Sequence, residues 1–472
     1  MPKKICLFFL TLCLLLSGCA PAAQPEPDPV PEPDPAPEAS APAEVPAPEE
    51  PPEPELPERD RDWIEDIEFL RETIKENHID PFYLRSEEDF DRDLDCLIAG
   101  VGDLSDNDIV FELTAIIASL RDTHLTINPE ASHIYDACFP VNTCFFDDKL
   151  YLASYHGDFE QFAPYMLHEI VAVNGVDMAY LVQKIDSLSY PGNSWYSREM
   201  FTGFHFYFVP AFFDWAGCDY KEGYTFQILN DNREVESVEV PVITQEEWRT
   251  GEWLYPENWS SLRYRRGGNQ AGYIEGENGG CVYLATPDLE HPSSIEYIMN
   301  EAARLLEEHP DCGKLAIDLR RNTGGYTHTV WTLQEEIRQL DPEHTYILTG
   351  GRTMSMAMEA VACLKGSLDA ITVGEPTGQF SSCFCFSGDK RVTEYQFTLP
   401  HSQLVVTVPD SWMNSKEDMA AMGIDFAFEE FYGEDGKLYE WENTILPDVY
   451  VYQDIEDIRQ GKDTVMEWVL VQ

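Results

Sequence analysis

Positive charge is what this sequence has least of: 31 Lys and Arg stand against 86 Asp and Glu in 472 residues, a formal net charge of −55. A surface this acidic repels phosphate backbones, which counts against nucleic acid as a partner, and it repels anionic membrane surfaces too. Paired Cys-x-x-Cys spacings are missing although the chain has 12 cysteines, and no His-Glu-x-x-His run occurs among its 11 histidines. Neither a zinc site nor a metallopeptidase helix is therefore expected, and nothing calls for a metal or cofactor. Internal repeats are not evident. The 10 Trp form no cluster that would suggest a carbohydrate platform. Beyond the N-terminus no stretch is long and apolar enough to span a membrane.

What is there begins with Lys3 and Lys4, an apolar run from Ile5 to Leu16, and then Ser17-Gly18-Cys19. A charged start, a short apolar stretch and small residues describe a secretory signal. About twelve apolar residues cover roughly 18 Å as a helix, too short for a ~30 Å hydrocarbon core. The Leu-Ser-Gly-Cys ending resembles the lipobox of bacterial lipoproteins. The resemblance implies that residues 1–19 are a signal peptide and lipobox and that Cys19 receives lipid. The mature protein is then expected in the cell envelope, on the outer face of the cytoplasmic membrane, held through Cys19 alone. Residues 20–59 are Pro, Glu, Ala and Asp with almost nothing to bury, a disordered linker and semi-rigid spacer. Nine cysteines lie beyond Cys19, an odd number, so export permits disulfides but leaves at least one thiol over; no pairing is assigned.

The folded chain falls into three stretches. Residues 60–130 read as an N-terminal helical domain: Trp63, Ile64, Ile67, Leu70 and Ile74 recur at helical spacing, as do Ile109, Leu113, Ile116, Ile117 and Leu120, with Ser105 or Asp106 as an N-cap. Residues 135–265 are β-rich. Within them Glu169–Val173, Asn174-Gly175 and a helical stretch to Leu188 resemble the end of a PDZ-like peptide-binding module, the plainer reading being a generic β-rich insert. Residues 266–472 alternate strand and helix: Gly280–Ala285, Ser293–Glu308, Lys314–Leu319, Thr329–Leu340, Thr345–Thr349, Ser355–Leu364 and Ala370–Val373. That order predicts an α/β layer fold.

Four segments can carry chemistry. In Leu120-Arg121-Asp122-Thr123-His124, a histidine at a helix end is a candidate general base, although a lone histidine is as a rule a packed or surface residue. In Asp318–Gly325 a buried strand runs into Asn322-Thr323-Gly324-Gly325, where glycines let backbone N–H groups converge on one spot, as an oxyanion hole needs; alone, it is a turn. In Gly350–Glu359 a strand breaks and a helix starts near Ser355, which is either a plain N-cap or a hydroxyl aimed from the positive end of a helix. Val373-Gly374-Glu375-Pro376-Thr377-Gly378 is a turn suited to lining a cleft.

Taken in order, the four segments resemble the C-terminal processing (tail-specific) serine proteases, and within them the tricorn-core-like branch. The likeness runs over residues 60–472. It implies an α/β core of the Clp protease/crotonase-like kind, a peptide or protein substrate and no cofactor. It also implies Ser355 as nucleophile, His124 as base with Thr123 beside it, and the backbone amides of Gly324 and Met356 as oxyanion donors, with Asn322 and Gly325 supporting the turn. Trp441–Asp448 resembles the closing segment in which that branch places an acid, making Glu442 the candidate support for the relay. Three features depart from the pattern. The lysine of the Ser-Lys members is missing, since Gln379-Phe380-Ser381-Ser382 comes after the Pro-Thr-Gly turn. Arg121-Asp122-Thr123-His124 replaces a glycine-rich form, and Met356 stands where relatives have small residues. A catalytically weak or inactive peptide-binding lipoprotein on the same scaffold is the alternative. Oligomeric state is left open.

Overall fold

The computed structural model describes residues 56–146, 149–188, 209–218, 223–259, 268–379, 382–387, 391–414 and 445–472. Cys19, the linker up to residue 55 and Glu442 lie outside the described residues. Among the described residues no helix is long and apolar enough to cross a membrane.

Three helices open the fold: Glu58–Asn77, Glu87–Gly100 and Asp106–Ala118. Their helical spacing is realised as burial, with Ile67, Leu70, Ile74, Ile109 and Leu113 wholly inside. Ser105 caps the third helix. Its hydroxyl accepts the Asp108 N–H at 3.2 Å while the Asp108 carboxylate accepts the Ser105 N–H at 3.1 Å, so two end donors are satisfied reciprocally.

The apolar core of these helices continues into the β-rich stretch. Leu70, Leu94, Phe111 and Ile117 share one cluster with Phe139, Phe145, Leu152, Ile170, Phe212 and Phe226, and with Leu399, Leu404 and Val406 from late in the chain. The late residues are drawn in by pairing. Strand Thr126–Asn128, just past His124, runs antiparallel to Val405–Thr407, with Thr126 opposite Thr407. Asp66, fully buried, makes a second tie by accepting the N–H groups of His401 at 2.8 Å and Ser402 at 2.7 Å. Within the β-rich part, Ile170–Val173 turns at Asn174-Gly175 into Val176–Asp177. Both turn residues have positive φ, 49° and 79°, the conformation that Asn-Gly adopts in a two-residue hairpin. Helix Met178–Leu188 comes next, and Tyr224–Leu229 and Val235–Val240 complete a four-stranded sheet.

The last part is a six-stranded sheet in the order Gln270–Ile274, Cys281–Ala285, Lys314–Asp318, His344–Thr349, Ile371–Gly374 and Val449–Tyr450, parallel after an antiparallel first pair. Alternate side chains face opposite layers. Val282, Ile317 and Ile347 meet helices Pro292–Glu308, Thr327–Leu340 and Met356–Leu368. Tyr283, Ala316 and Tyr346 meet the C-terminal helix Thr464–Leu470. The buried Arg320 guanidinium fixes that helix to the sheet. It donates to Asp318 and, at 2.8 and 2.7 Å, to both oxygens of Asp463, while the Tyr283 hydroxyl donates to Asp318 at 2.7 Å. Burial alone would push the guanidinium down, but the two carboxylates outweigh it and hold it charged. In a parallel sheet the loops at the carboxyl ends of the strands are where sites are built. The strands ending at Asp318, Thr349 and Gly374 lead into the Gly324 turn, Ser355 and Gln379.

Candidate active site

Strand His344–Thr349 breaks at Gly350. The turn closes on itself, Thr353 N–H to Gly350 O at 2.9 Å, and the Thr353 hydroxyl donates to Leu319 O at 2.8 Å, tying it to the end of the neighbouring strand. Two residues on stands Ser355 with φ 47° and ψ −127°, a left-handed backbone that L-residues avoid. An ordinary serine N-cap has an extended backbone and bonds a following N–H. Ser355 does neither: its side chain makes no capping bond to helix Met356–Leu368. Of the two readings that the sequence left open, the plain cap is the one the geometry removes. Strain of this sort costs on the order of 1–3 kcal/mol and persists only where surroundings impose it.

The surroundings are visible. Asn322, wholly buried, donates to Thr286 O at 2.9 Å, accepts the Gly324 N–H at 2.9 Å through its side chain, and accepts the Met354 N–H at 3.1 Å through its carbonyl. Gly324 has φ 101° and lies hard against the serine. A Cβ there would sit 2.7 Å from Ser355 Cβ and 2.8 Å from Met356 N, so only glycine fits. At Gly325 a Cβ would collide with the Leu289 carbonyl. One expectation changes in detail. The Gly324 N–H is already bound to Asn322, whereas the N–H groups of Gly325 and Met356 have no acceptor among the described residues. Asn322 thus shapes the turn by occupying the donor that sequence reading assigned to the oxyanion.

His124 arrives from the other side, on the loop after helix Asp106–Ala118. Arg121 there has φ 63°, and Asp122 organises the rest of the loop. The buried Asp122 carboxylate accepts the His124 backbone N–H at 2.8 Å and meets His78 Nε2 at 2.8 Å. Because His78 Nδ1 accepts the Asp80 N–H at 3.0 Å, the His78 proton is on Nε2 and is donated to Asp122. The His124 imidazole packs edge-on against Phe386, and its Nδ1 lies 3.2 Å from the Thr123 hydroxyl. Burial pushes the imidazole below its ordinary value. Asp122 and a hydrogen bond to the Phe384 backbone offset this only in part, so at neutral pH the ring is an uncharged proton acceptor.

The two sides meet through Gln379. Its Oε1 accepts the Ser355 N–H at 2.6 Å and its Nε2 donates to Thr123 Oγ1 at 3.0 Å. Among the described residues no hydrogen bond joins Ser355 Oγ directly to His124. Sequence reading brought Ser355, His124, Thr123, Asn322, Gly324, Gly325 and Met356 to one region, and the structure places all seven there. It missed Asp122 and His78 as the support of the base loop. It passed over Gln379, noticed only because no lysine stands there. A neutral carboxamide cannot take a proton from serine, so this position holds no base.

No protein-family model matches the sequence, and no curated protein matches it. The architecture is an α/β fold, and two solved structures share it. Mature CPAF complexed with lactacystin aligns over 87% of this chain and 98% of that one, at 11% identity and a TM-score of 0.54. Uncomplexed mature CPAF aligns over 85% and 94%, at 10% identity and the same TM-score of 0.54. At such identities the likeness is one of fold.

Proposed function

We propose that this chain is an exported, lipid-anchored serine peptidase. The observation that carries the reading is the backbone of Ser355: a serine in a strained strand-to-helix turn, making no capping bond, packed against a glycine turn. In the reaction His124 takes the proton of Ser355 Oγ as the oxygen attacks a peptide carbonyl. The oxyanion is held by the Met356 and Gly325 N–H groups, at the positive end of helix Met356–Leu368. The protonated His124 gives its proton to the departing amine, leaving an acyl-enzyme. Water, deprotonated by the same imidazole, then releases the acid and restores serine. Substrate binding closes the gap between Ser355 Oγ and His124, since such contacts commonly tighten only in the complex. Glu442 supports the relay, the PDZ-like stretch selects peptides by strand addition, and lipid on Cys19 holds the body off the membrane by its spacer.

The test is labelling of the full chain with a fluorophosphonate probe. Wild type should label at Ser355, and Ser355→Ala should neither label nor cleave peptides while melting at the wild-type temperature. A folded wild type that labels nowhere would leave the peptide-binding reading in its place. Cys19→Ala should move the protein from the membrane fraction to the soluble one; if it stays, the lipid anchor is wrong.

A further inference from the structure

Gln379 has no part in the chemistry above, yet it is wholly buried and touches both sides of the site. Its orientation is set by its partners. The Ser355 N–H can only donate, so the atom facing it is the oxygen; the amide nitrogen therefore faces Thr123 Oγ1, which accepts. Few side chains can do both. Alanine reaches neither, asparagine is one methylene short, lysine can only donate and glutamate can only accept. The residue begins from a fixed point: Gly378 N–H bonds Thr353 O at 3.1 Å, and Thr377 exchanges hydrogen bonds with Ile445.

We propose that Gln379 is the positioning residue of this site, its carboxamide holding the Ser355 turn in register with the Thr123–His124 loop. Thr123 Oγ1 has two lone pairs. One accepts from Gln379, and the same hydroxyl lies 3.2 Å from His124 Nδ1, so the carboxamide reaches the imidazole through a single oxygen. The groups around the ring are Asp122 with His78 behind it on the helical side, the Phe384 backbone and Phe386 ring on the strand side, and Thr123 with Gln379 toward the sheet. A neutral bridge adds no charge to this set, whereas a carboxylate in its place would favour the imidazolium.

The kinetic consequence rests on the peptidase reading; the structural coupling does not, and two measurements separate them. The first is the pH dependence of His124 modification by diethyl pyrocarbonate, read by peptide mass spectrometry on the full chain. Gln379→Glu should raise the His124 midpoint by about one pH unit, and equal midpoints in wild type and variant would overturn the coupling. The second is the rate of fluorophosphonate labelling at Ser355. Gln379→Ala should label roughly 10- to 100-fold more slowly at an unchanged melting temperature, Gln379→Asn should not restore the rate, and Gln379→Glu should restore part of it. An alanine variant labelling at the wild-type rate overturns the positioning role. Should Gln379→Ala fail to fold, the near-isosteric glutamate variant still decides. A wild type that never labels defeats the peptidase reading, while the histidine titration still judges Gln379.

Discussion

Ser355 and His124 are held in place by unlike means. Ser355 comes after a strand paired in parallel on both sides, and the turn before it is tied to the next strand through Thr353 and Asn322. Every tie comes from a segment of the same sheet. His124 comes after a helix, on a loop that makes no sheet pairing until Thr126. Its supports come from three distant places: His78 by way of Asp122, Gln379 by way of Thr123, and Val405–Thr407 through the strand it leads into. A strained residue such as Ser355 can thus be fixed by local topology, since strained backbone needs rigid neighbours. A ring such as that of His124 has only to be oriented, which scattered side chains can do.

The contrast can be broken from either side. The largest effect should come from His124→Ala. On the proposed mechanism its loss should slow probe labelling by roughly 10²- to 10⁴-fold, with the melting temperature unchanged; labelling at the wild-type rate would overturn His124 as the proposed base. Next is Asp463→Ala, which strikes the ion pair that fixes the C-terminal helix to the sheet. It leaves the buried Arg320 paired with Asp318 alone and should cost about 3–5 kcal/mol in urea denaturation; a loss under about 1 kcal/mol would mean that Arg320 finds water. Ser105→Ala removes the capping box on the helix leading to the base loop. About 1 kcal/mol of stability should go with labelling untouched, and slower labelling would show that the base loop feels that helix end.

The smallest effect is on pH dependence. Burial holds His124 below its ordinary 6.5, so labelling should stay on its plateau as pH falls through that value and decline only below it. A profile with its midpoint at or above 6.5 would contradict the burial. The same group acts on stability. Near pH 6.5 the unfolded chain binds a proton that the folded imidazole does not, so its contribution is present above that pH and is lost as pH falls.

Much of this was legible before any coordinates. Helical spacing marked Ile67, Leu70 and Ile74, and they are wholly buried; the apolar run after Lys314 marked a strand with every residue inside. The candidate site residues stood out because they follow the ends of strands or helices, and such positions announce themselves by glycine and by broken periodicity. Less visible was the border between helical and β-rich stretches, which the shared core crosses: periodicity says which face is buried but not against what.

The sequence by itself determined the elements and the candidate nucleophile, base and glycine turn, because those depend on local pattern and on residues fitted to unusual backbone. Only the tertiary structure decided that Gln379 reaches Thr123 across 256 positions, that Arg320 reaches Asp463 across 143, and that Asn322 takes the Gly324 amide. The physical reason is range. A hydrogen bond between distant segments leaves no periodic trace along the chain; it exists only once the chain's long loops have closed and brought its two ends together.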